Sequence, residues 1–380
     1  EIPVDPINDR PRHAPERGEL HPEEDPFDTW FTSARSPFLA IDQVQDESTR
    51  KQLFPLSLRP QAHDIINFWL FYTLAKTNLI YGENPWQDVA ISGWVLDPKG
   101  KKMSKSKGNI ISPQDMRDKY SADALRFAAA ATKLGEDVPF PEKELVNGTK
   151  VVNKLYNANK FASMLLEGFT KEDRSLSFDS LSFIDRWVIS RAQAVIKAAR
   201  EGYESYDFWR GKSEFEYFFM HDVADNYIEI VKNRLWNPEA YGAANRQAQQ
   251  TLYYVLFSAL RGLAPIVPFI TEEVYQLFYR QFEETTSIHQ CSYPEYVENW
   301  HDEDLLGAGE RFLETVGTVR RYKSEHNLSM KAELASIHIS ADEQTQALIQ
   351  ESVDDLKAVT GAHEVTFATA EDFSVEIHGM

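Results

Sequence analysis

The spacing of apolar and polar positions changes character several times along the chain. Residues 61–79 carry apolar side chains at helical spacing and predict a helix, whereas residues 88–97 read as a strand followed by a turn. Alternating short strands and helices predict the later half of a doubly wound parallel sheet. Residues 1–26 are rich in Pro, Asp, Glu and Arg without a period, which predicts an extended segment or linker.

Beyond Ser112 the pattern is almost entirely helical. The predicted helices cover residues 113–131, 144–169, 181–203, 212–233, 241–263, 271–282 and 302–325. From Lys331 the pattern changes to a strand, a helix over residues 342–361 and two short strands. The predicted fold is therefore an α/β Rossmann-like remnant, an all-helical bundle and a small α/β tail, divided near residues 26, 143 and 330.

Composition limits the class of protein. With 380 residues, 42% of them hydrophobic, the chain is long and apolar enough for two or three domains with their own cores. Its apolar runs fall short of the ~18 residues that span a membrane, and no export signal opens it. The single cysteine, Cys291, excludes an internal disulfide and a zinc knuckle of the CxxC type. We expect a soluble cytoplasmic protein.

The formal net charge of −19 argues weakly against nucleic-acid binding, which relies on basic surface. Net charge does not describe local patches, however, and lysines cluster between Lys99 and Lys107. A large protein can be acidic overall and still bind RNA along one face.

Residues 101–109 read Lys-Lys-Met-Ser-Lys-Ser-Lys-Gly-Asn and carry the strongest chemical signal. Lysines interleaved with serines and a glycine make a cationic loop that suits a polyphosphate, because lysine is a flexible point charge and hydroxyls and amides add donors. Displacement on phosphorus is accelerated mainly by such positioning and charge neutralisation. The alternative is a solvated basic turn.

Residues Lys102 to Ser106 match the KMSKS signature of class I aminoacyl-tRNA synthetases at every position. Residues 28–33 and 59–69 resemble the segments that precede this loop in valyl-type members of that family, the latter in archaeal-type members. Further segments resemble parts of the family's anticodon-binding domain; they are residues 153–161, 264–273 and 319–328. The resemblance covers roughly residues 24–335 and implies the carboxyl-terminal portion of such an enzyme.

The family's HIGH motif and editing domain have no counterpart in this sequence. The chain also begins with Glu1 rather than Met, so we expect a missing upstream part and no amino-acid activation by the chain alone. The parent activity implied is ATP-dependent attachment of valine to tRNA. Its implied partners are ATP with Mg²⁺, valine and the valine tRNA isoacceptor, acting on a monomer without zinc.

The resemblance also assigns site residues. Lys102, Ser104 and Lys105 correspond to catalytic positions of the loop, and the ATP site would comprise the loop with two residues upstream of it: Asp64, Gly93, Lys102, Met103, Ser104, Lys105 and Ser106. Trp30, Ile65 and Trp69 correspond to walls of the valine pocket.

Each assignment has a structural alternative. Trp30, Ile65 and Trp69 could be ordinary core, Asp64 could cap the helix that follows it, and Gly93 could be a packing glycine. Polar residues of two helices are either anticodon readers, residues of a solvated face or partners in interhelical hydrogen bonds: Asn153, Lys154, Asn157, Asn159, Lys160, Arg234 and Trp236. Two rival functions remain open, an isoleucyl- or leucyl-type enzyme and a non-catalytic tRNA-binding paralogue.

Overall fold

The computed structural model describes residues 25–379 and contains two compact units that meet at the Trp94–Val95 bond. Most of the predicted linker, residues 1–24, therefore lies outside the described residues. The described part of the first unit contains four α-helices and two strands: α1 Thr29–Ser33, α2 Ser36–Asp42, α3 Glu47–Leu53, β1 Leu56–Ala62, α4 Phe71–Tyr81 and β2 Trp86–Ser92.

The first unit is built around a β-α-β crossover. Strands β1 and β2 pair in parallel, from Leu56 opposite Trp86 to Ala62 opposite Ser92. The connection returns through a 3-10 turn, a π-helical turn over Ile66–Leu70 and then α4, which ends at Gly82 in the left-handed conformation. A parallel pair needs such a crossover, so both strands end at the same edge of the sheet.

Two sequence predictions for this region gave the wrong element boundaries. The helix predicted from residue 61 starts later, because pairing with β2 keeps Gln61 and Ala62 in a strand. The strand predicted over residues 88–97 is interrupted after Ser92, and Val95–Leu96 instead forms a separate short strand that pairs with Val138–Pro139.

The second unit is mainly helical. Its strands and helices up to residue 325 are β3 Val95–Leu96, α5 Pro113–Tyr120, α6 Ala122–Ala130, β4 Val138–Pro139, α7 Glu142–Leu165, α8 Phe183–Glu204, α9 Phe208–Tyr217, α10 Ile228–Trp236, α11 Pro238–Tyr241, α12 Ala243–Leu263, α13 Pro268–Val274 and α14 Glu303–Glu325. Stretches Phe218–Tyr227 and Tyr275–Tyr279 are π-helical. The apolar faces of these helices share one core that includes fully buried Phe215, Phe218, Tyr227 and Tyr275.

Several predicted helices are interrupted. The helix predicted over residues 113–131 is two, because Ser121 has a φ of 122° and its side chain accepts a hydrogen bond from the backbone N of Ala124. The helix predicted over residues 212–233 consists of α9, the π-helical stretch and α10. A helical period alone does not detect these changes, since apolar residues continue through them.

The chain ends in a small α/β part of the second unit, β5 Leu334–Ala341, α15 Glu343–Gln350, α16 Val353–Thr360, β6 Ala362–Thr369 and β7 Ser374–Gly379. The sheet order is β6-β5-β7, with β5 parallel to β6 and antiparallel to β7. The predicted single helix over residues 342–361 is broken at Ser352, whose buried hydroxyl accepts from the backbone N of Ile184 at 3.1 Å. That bond joins this part to the start of α8.

Candidate functional site

The lysine-rich loop follows β3 and is anchored at its base by Asp97. One carboxylate oxygen of Asp97 accepts hydrogen bonds from the backbone N of Lys99 at 2.9 Å and of Lys101 at 2.8 Å. The turn between them contains Gly100 with a φ of 73°, a conformation that favours glycine. The Asp97 side chain is buried, at 7% exposure, so it fixes the point at which the loop leaves the strand.

Asn109 closes the far end of the loop onto the same carboxylate. Its amide nitrogen donates to the second oxygen of Asp97 at 2.9 Å and to the carbonyl of Lys102 at 3.3 Å. Its amide oxygen accepts from the backbone N of Ser104 at 3.0 Å. These bonds lower the pKa of Asp97, the Asn109 bond most and the Lys101 backbone bond next. The carboxylate therefore stays ionised beneath the loop.

The predicted phosphate-binding residues project from this anchored backbone. Lys102, Lys105 and Ser106 are exposed, and Met103 and Ser104 are half-buried. The hydroxyls of Ser104 and Ser106 lie 3.2 Å apart, and a 3-10 turn over Lys105–Lys107 ends at a left-handed Gly108. Their arrangement presents ammonium and hydroxyl groups to solvent on a short, closed loop.

The first unit brings together the other predicted ATP residues. Asp64 lies in the 3-10 turn directly after β1, and Gly93 follows β2. Because Ala62 pairs with Ser92, both positions lie at the carboxyl edge of the parallel strands, where ligands of open α/β sheets bind. Ala62, not Asp64, occupies the N-cap of that turn. Asp64 is exposed and Gly93 half-buried.

The aromatic residues predicted for the amino-acid pocket lie near the same turn. Trp30 stacks on Phe68 with ring centroids 5.9 Å apart, and the indole N–H of Trp69 donates to the carbonyl of Ser33 at 3.2 Å. Trp30, Ile65 and Trp69 are all half-buried. Trp30 in α1 and Trp69 in the π-helical turn thus keep partly accessible surfaces and do not form a closed core.

Arg59 is a residue of this region that the sequence analysis did not single out. It is 5% exposed, and its guanidinium lies over the rings of Trp69 and Trp86. Burial lowers its pKa to about 10. Its position in the middle of β1, between apolar neighbours, gives no sequence signal that distinguishes it from an exposed strand arginine.

In the helical bundle, the candidate anticodon readers separate into two groups. Asn153, Asn157 and Lys160 lie on the exposed face of α7, and Trp236 is 51% exposed at the end of α10. Asn159 is buried, donates to the carbonyl of Leu155 at 2.8 Å and accepts from the Tyr279 hydroxyl. Asn159 is therefore a core residue.

Arg234 is also excluded from reading RNA directly. It is 4% exposed and donates to both oxygens of Asp185 at 2.9 Å and to Asp355 at 2.9 Å. Lys154 donates to Asp225 at 2.6 Å and to the carbonyl of Met220 at 2.9 Å. Arg234 thus connects α8, α10 and α16, and Lys154 connects α7 to the π-helical stretch.

Within residues 25–379, no group of three or more His, Cys, Asp or Glu side chains is arranged to hold a metal ion. Across the same residues, no helix has the length and apolar character that crossing a membrane requires.

Two parts of the chain match protein-family models. Residues 7–141 match the class I tRNA synthetases (I, L, M and V), and residues 185–339 match the anticodon-binding domain of tRNA ligase. The first match includes the anchored loop and the carboxyl edge of β1 and β2, and the second includes most of the helical bundle.

The similar curated proteins are valine–tRNA ligases. That of Rickettsia prowazekii (strain Madrid E) is 37% identical over 98% of this chain and 46% of its own length. That of Wolbachia sp. subsp. Brugia malayi (strain TRS) is 35% identical over 97% of this chain and 43% of its own length. The chain thus spans a little under half the length of these relatives.

Solved structures of two synthetases share the fold. Agrobacterium radiobacter K84 agnB2 LeuRS, in a ternary complex with tRNA and LeuAMS, aligns with a TM-score of 0.56 at 17% identity, over 72% of this chain and 33% of that one. Mycobacterium tuberculosis methionyl-tRNA synthetase, in complex with methionyl-adenylate, aligns with a TM-score of 0.51 at 15% identity, over 69% of this chain and 55% of that one.

Proposed function

We propose that this chain is the carboxyl-terminal part of a valine–tRNA ligase, which attaches valine to tRNA at the expense of ATP. The observation that carries the proposal is similarity to valine–tRNA ligases along 98% of the chain, together with the lysine-rich loop. The names of these relatives favour valine over isoleucine or leucine as the substrate. The resemblance to archaeal-type members rests only on residues 59–69.

In this proposal the loop acts on the phosphates of ATP. The valine carboxylate attacks the α-phosphorus, the bond to the bridging oxygen breaks, and pyrophosphate leaves with the electron pair. Lys102 and Lys105 would neutralise charge that develops on the phosphate oxygens, and Ser104, Ser106 and the Met103 backbone would hold the loop against them. Mg²⁺ would accompany ATP, and no zinc is required.

The first unit would hold the rest of the substrates. Asp64 would bind the ATP ribose or the amino group of valine, and adenine would pack against the backbone at Gly93. Trp30, Ile65 and Trp69 would form rigid apolar walls that exclude bulkier side chains. The carboxyl edge of parallel strands supports this arrangement, because strand ends of open α/β sheets form ligand crevices.

The proposed division of labour follows the predicted domains. Residues 27–143 would be the second half of the catalytic domain, residues 144–330 would bind the anticodon region of the valine tRNA isoacceptor, and residues 331–380 would form a small α/β tail after the leading segment 1–26. We propose a cytoplasmic enzyme that acts as a monomer. The exposed polar face of α7, with Asn153, Asn157 and Lys160, is the proposed RNA-facing surface.

Titration of the full 380-residue chain with fluorescently labelled valine and non-cognate tRNAs, at two salt concentrations, tests the tRNA part. Because the chain is acidic, we expect a limited basic face, a preference for the valine tRNA and a shallow salt dependence. Lys160→Glu should weaken binding, whereas Lys331→Glu makes the same charge change outside the helical domain and should not. A folded chain without tRNA affinity at low salt would contradict the proposal.

A further inference from the structure

The loop that the proposed function assigns to ATP phosphates has an internal anchor of two side chains. Asp97 lies before the loop and Asn109 at its end, and their side chains meet at 2.9 Å. Every oxygen of the Asp97 carboxylate has a donor, two from the backbone before the loop and one from Asn109. We name this pair the Asp97–Asn109 clasp.

The clasp controls the backbone on both sides of Met103. Asn109 donates to the carbonyl of Lys102 and accepts from the N–H of Ser104, so it fixes both peptide groups that flank this residue. An isolated bridge between Leu96 and Lys102 adds to this fixation. The conformation of the residues that precede Lys105 therefore depends on the side chain of Asn109.

Such an anchor suits a loop that binds polyphosphate. Residues 101–107 contain four lysines, whose like charges repel one another and favour open conformations. Stabilisation of developing negative charge depends on donors that are held in place before the reaction, because a mobile donor must be ordered each time. A buried, ionised carboxylate beneath the loop offsets part of the repulsion and orders its backbone.

We propose that Asp97 and Asn109 are positioning residues, which act through Ser104 and Lys105 by holding the loop in its phosphate-binding conformation. The proposal rests on the proposed function for the identity of the ligand. It predicts changes in polyphosphate affinity opposite in sign to those that electrostatic attraction alone would cause. Asp97→Asn makes the loop region one unit more positive, so electrostatic attraction alone would tighten the binding of a polyphosphate.

The clasp predicts instead that Asp97→Asn weakens binding. In this variant the side-chain amide nitrogens of residues 97 and 109 face each other, so two donors meet without an acceptor. A flip of the Asn109 amide would turn its oxygen toward residue 97, but its nitrogen would then face the backbone N–H of Ser104. Asn109→Asp places two carboxylates in contact. The exchanged pair, Asp97→Asn with Asn109→Asp, restores a donor facing an acceptor between residues 97 and 109. It also places a carboxylate oxygen near the Lys102 carbonyl, in place of the 3.3 Å bond, so we expect a partial rescue.

The experiment measures the affinity of the full chain for inorganic tripolyphosphate by titration calorimetry. We expect Asp97→Asn and Asn109→Ala each to lower affinity about threefold to tenfold, and the exchanged pair to bind at least about twofold more tightly than Asp97→Asn. Asp115→Asn, an equal charge change at an exposed position of α5, serves as the control and should not weaken binding. Thermal unfolding checks that each variant is folded.

Limited trypsin digestion tests the clasp without any ligand. Cleavage after the loop lysines should be several-fold faster in Asp97→Asn and Asn109→Ala than in wild type, and slower in the exchanged pair than in either single variant. Faster cleavage in the single variants, with no tripolyphosphate binding by wild type, would support the clasp and contradict the phosphate role in the proposed function. Tighter tripolyphosphate binding by Asp97→Asn, with cleavage at the wild-type rate, would overturn the inference.

Discussion

Replacing Arg234 with methionine should destabilise the second unit by about 3–5 kcal/mol, because it leaves two buried carboxylates without their counter-charge. Arg234 donates to both oxygens of Asp185 and to Asp355, each at 2.9 Å. The Tyr227 hydroxyl donates to Asp185 at 2.7 Å, which gives one carboxylate oxygen a second hydrogen bond but supplies no positive charge. Methionine fills much of the volume, so the loss reports the broken ion pairs more than a cavity.

The pH dependence of this loss follows from Asp355. Burial raises the pKa of Asp355 to about 7 even with Arg234 present, since the guanidinium is shared with Asp185. Without Arg234, protonation of Asp355 would relieve part of the penalty. The destabilisation should therefore be larger at pH 8 than at pH 5.

Urea unfolding followed by far-UV circular dichroism measures the free energy. Arg311→Met is the matched control, because Arg311 pairs with Glu314 at 2.8 Å but both side chains are about half exposed; we expect a change below about 0.5 kcal/mol. A loss under about 1 kcal/mol in Arg234→Met would refute the reasoning. Where the variant is folded, its tRNA affinity should equal that of wild type, and a specific loss would mean that Arg234 contacts RNA.

Three further predictions concern catalysis and pH. The chain alone should show no valine-dependent ATP–pyrophosphate exchange, and exchange above a no-enzyme blank would contradict this. In a full-length valine–tRNA ligase that contains this chain, Lys105→Ala should lower the rate constant of adenylate formation about 10²-fold with little change in valine affinity, because the proposed role of the loop is to stabilise charge in the transition state. An equal loss of valine affinity at an unchanged rate constant would contradict that role. Asp355 has a folded pKa of about 7, above its usual 3.8, so the folded state binds this proton more tightly and stability falls as pH rises from about 4 to 7. Asp355→Asn should flatten that fall in urea unfolding at stepped pH, and an unchanged slope would exclude Asp355 as its source.

The sequence indicated the loop because its lysines, serines and glycine are close together in the chain. Residues 101–109 lie together in the chain, so their order alone favours a phosphate loop over a basic turn. The Asp97–Asn109 clasp was harder to predict from the sequence, although Asp97 opens a recognisable turn and Asn109 follows a glycine. Its 2.9 Å bond joins residues twelve positions apart, and no helical or strand period relates them.

Long-range partners explain the remaining misjudgements. For Arg234 the sequence left RNA contact, solvated surface and interhelical hydrogen bonds open, because its partners lie 49 and 121 positions away in the chain. The start of the helix predicted at residue 61 depended on pairing with β2, which begins at Trp86. The break at Ser121 had a local signal, a serine able to cap a following helix, but the apolar period across it favoured continuity.

The exposed surface of the first unit gives the physical reason to expect no activity from the chain alone. Helix α4 buries Thr73 and Thr77, whereas Leu79 is 85% exposed and Phe71 57%. A helix that is apolar on all sides is normally buried, and parallel strands are normally covered on both faces. Two parallel strands with one crossover bury too little apolar surface to order a crevice firmly. We therefore expect the turn that carries Asp64 and the strand end at Gly93 to be ordered firmly only when further strands and helices cover this apolar surface, and the proposed substrate site to be incomplete without them.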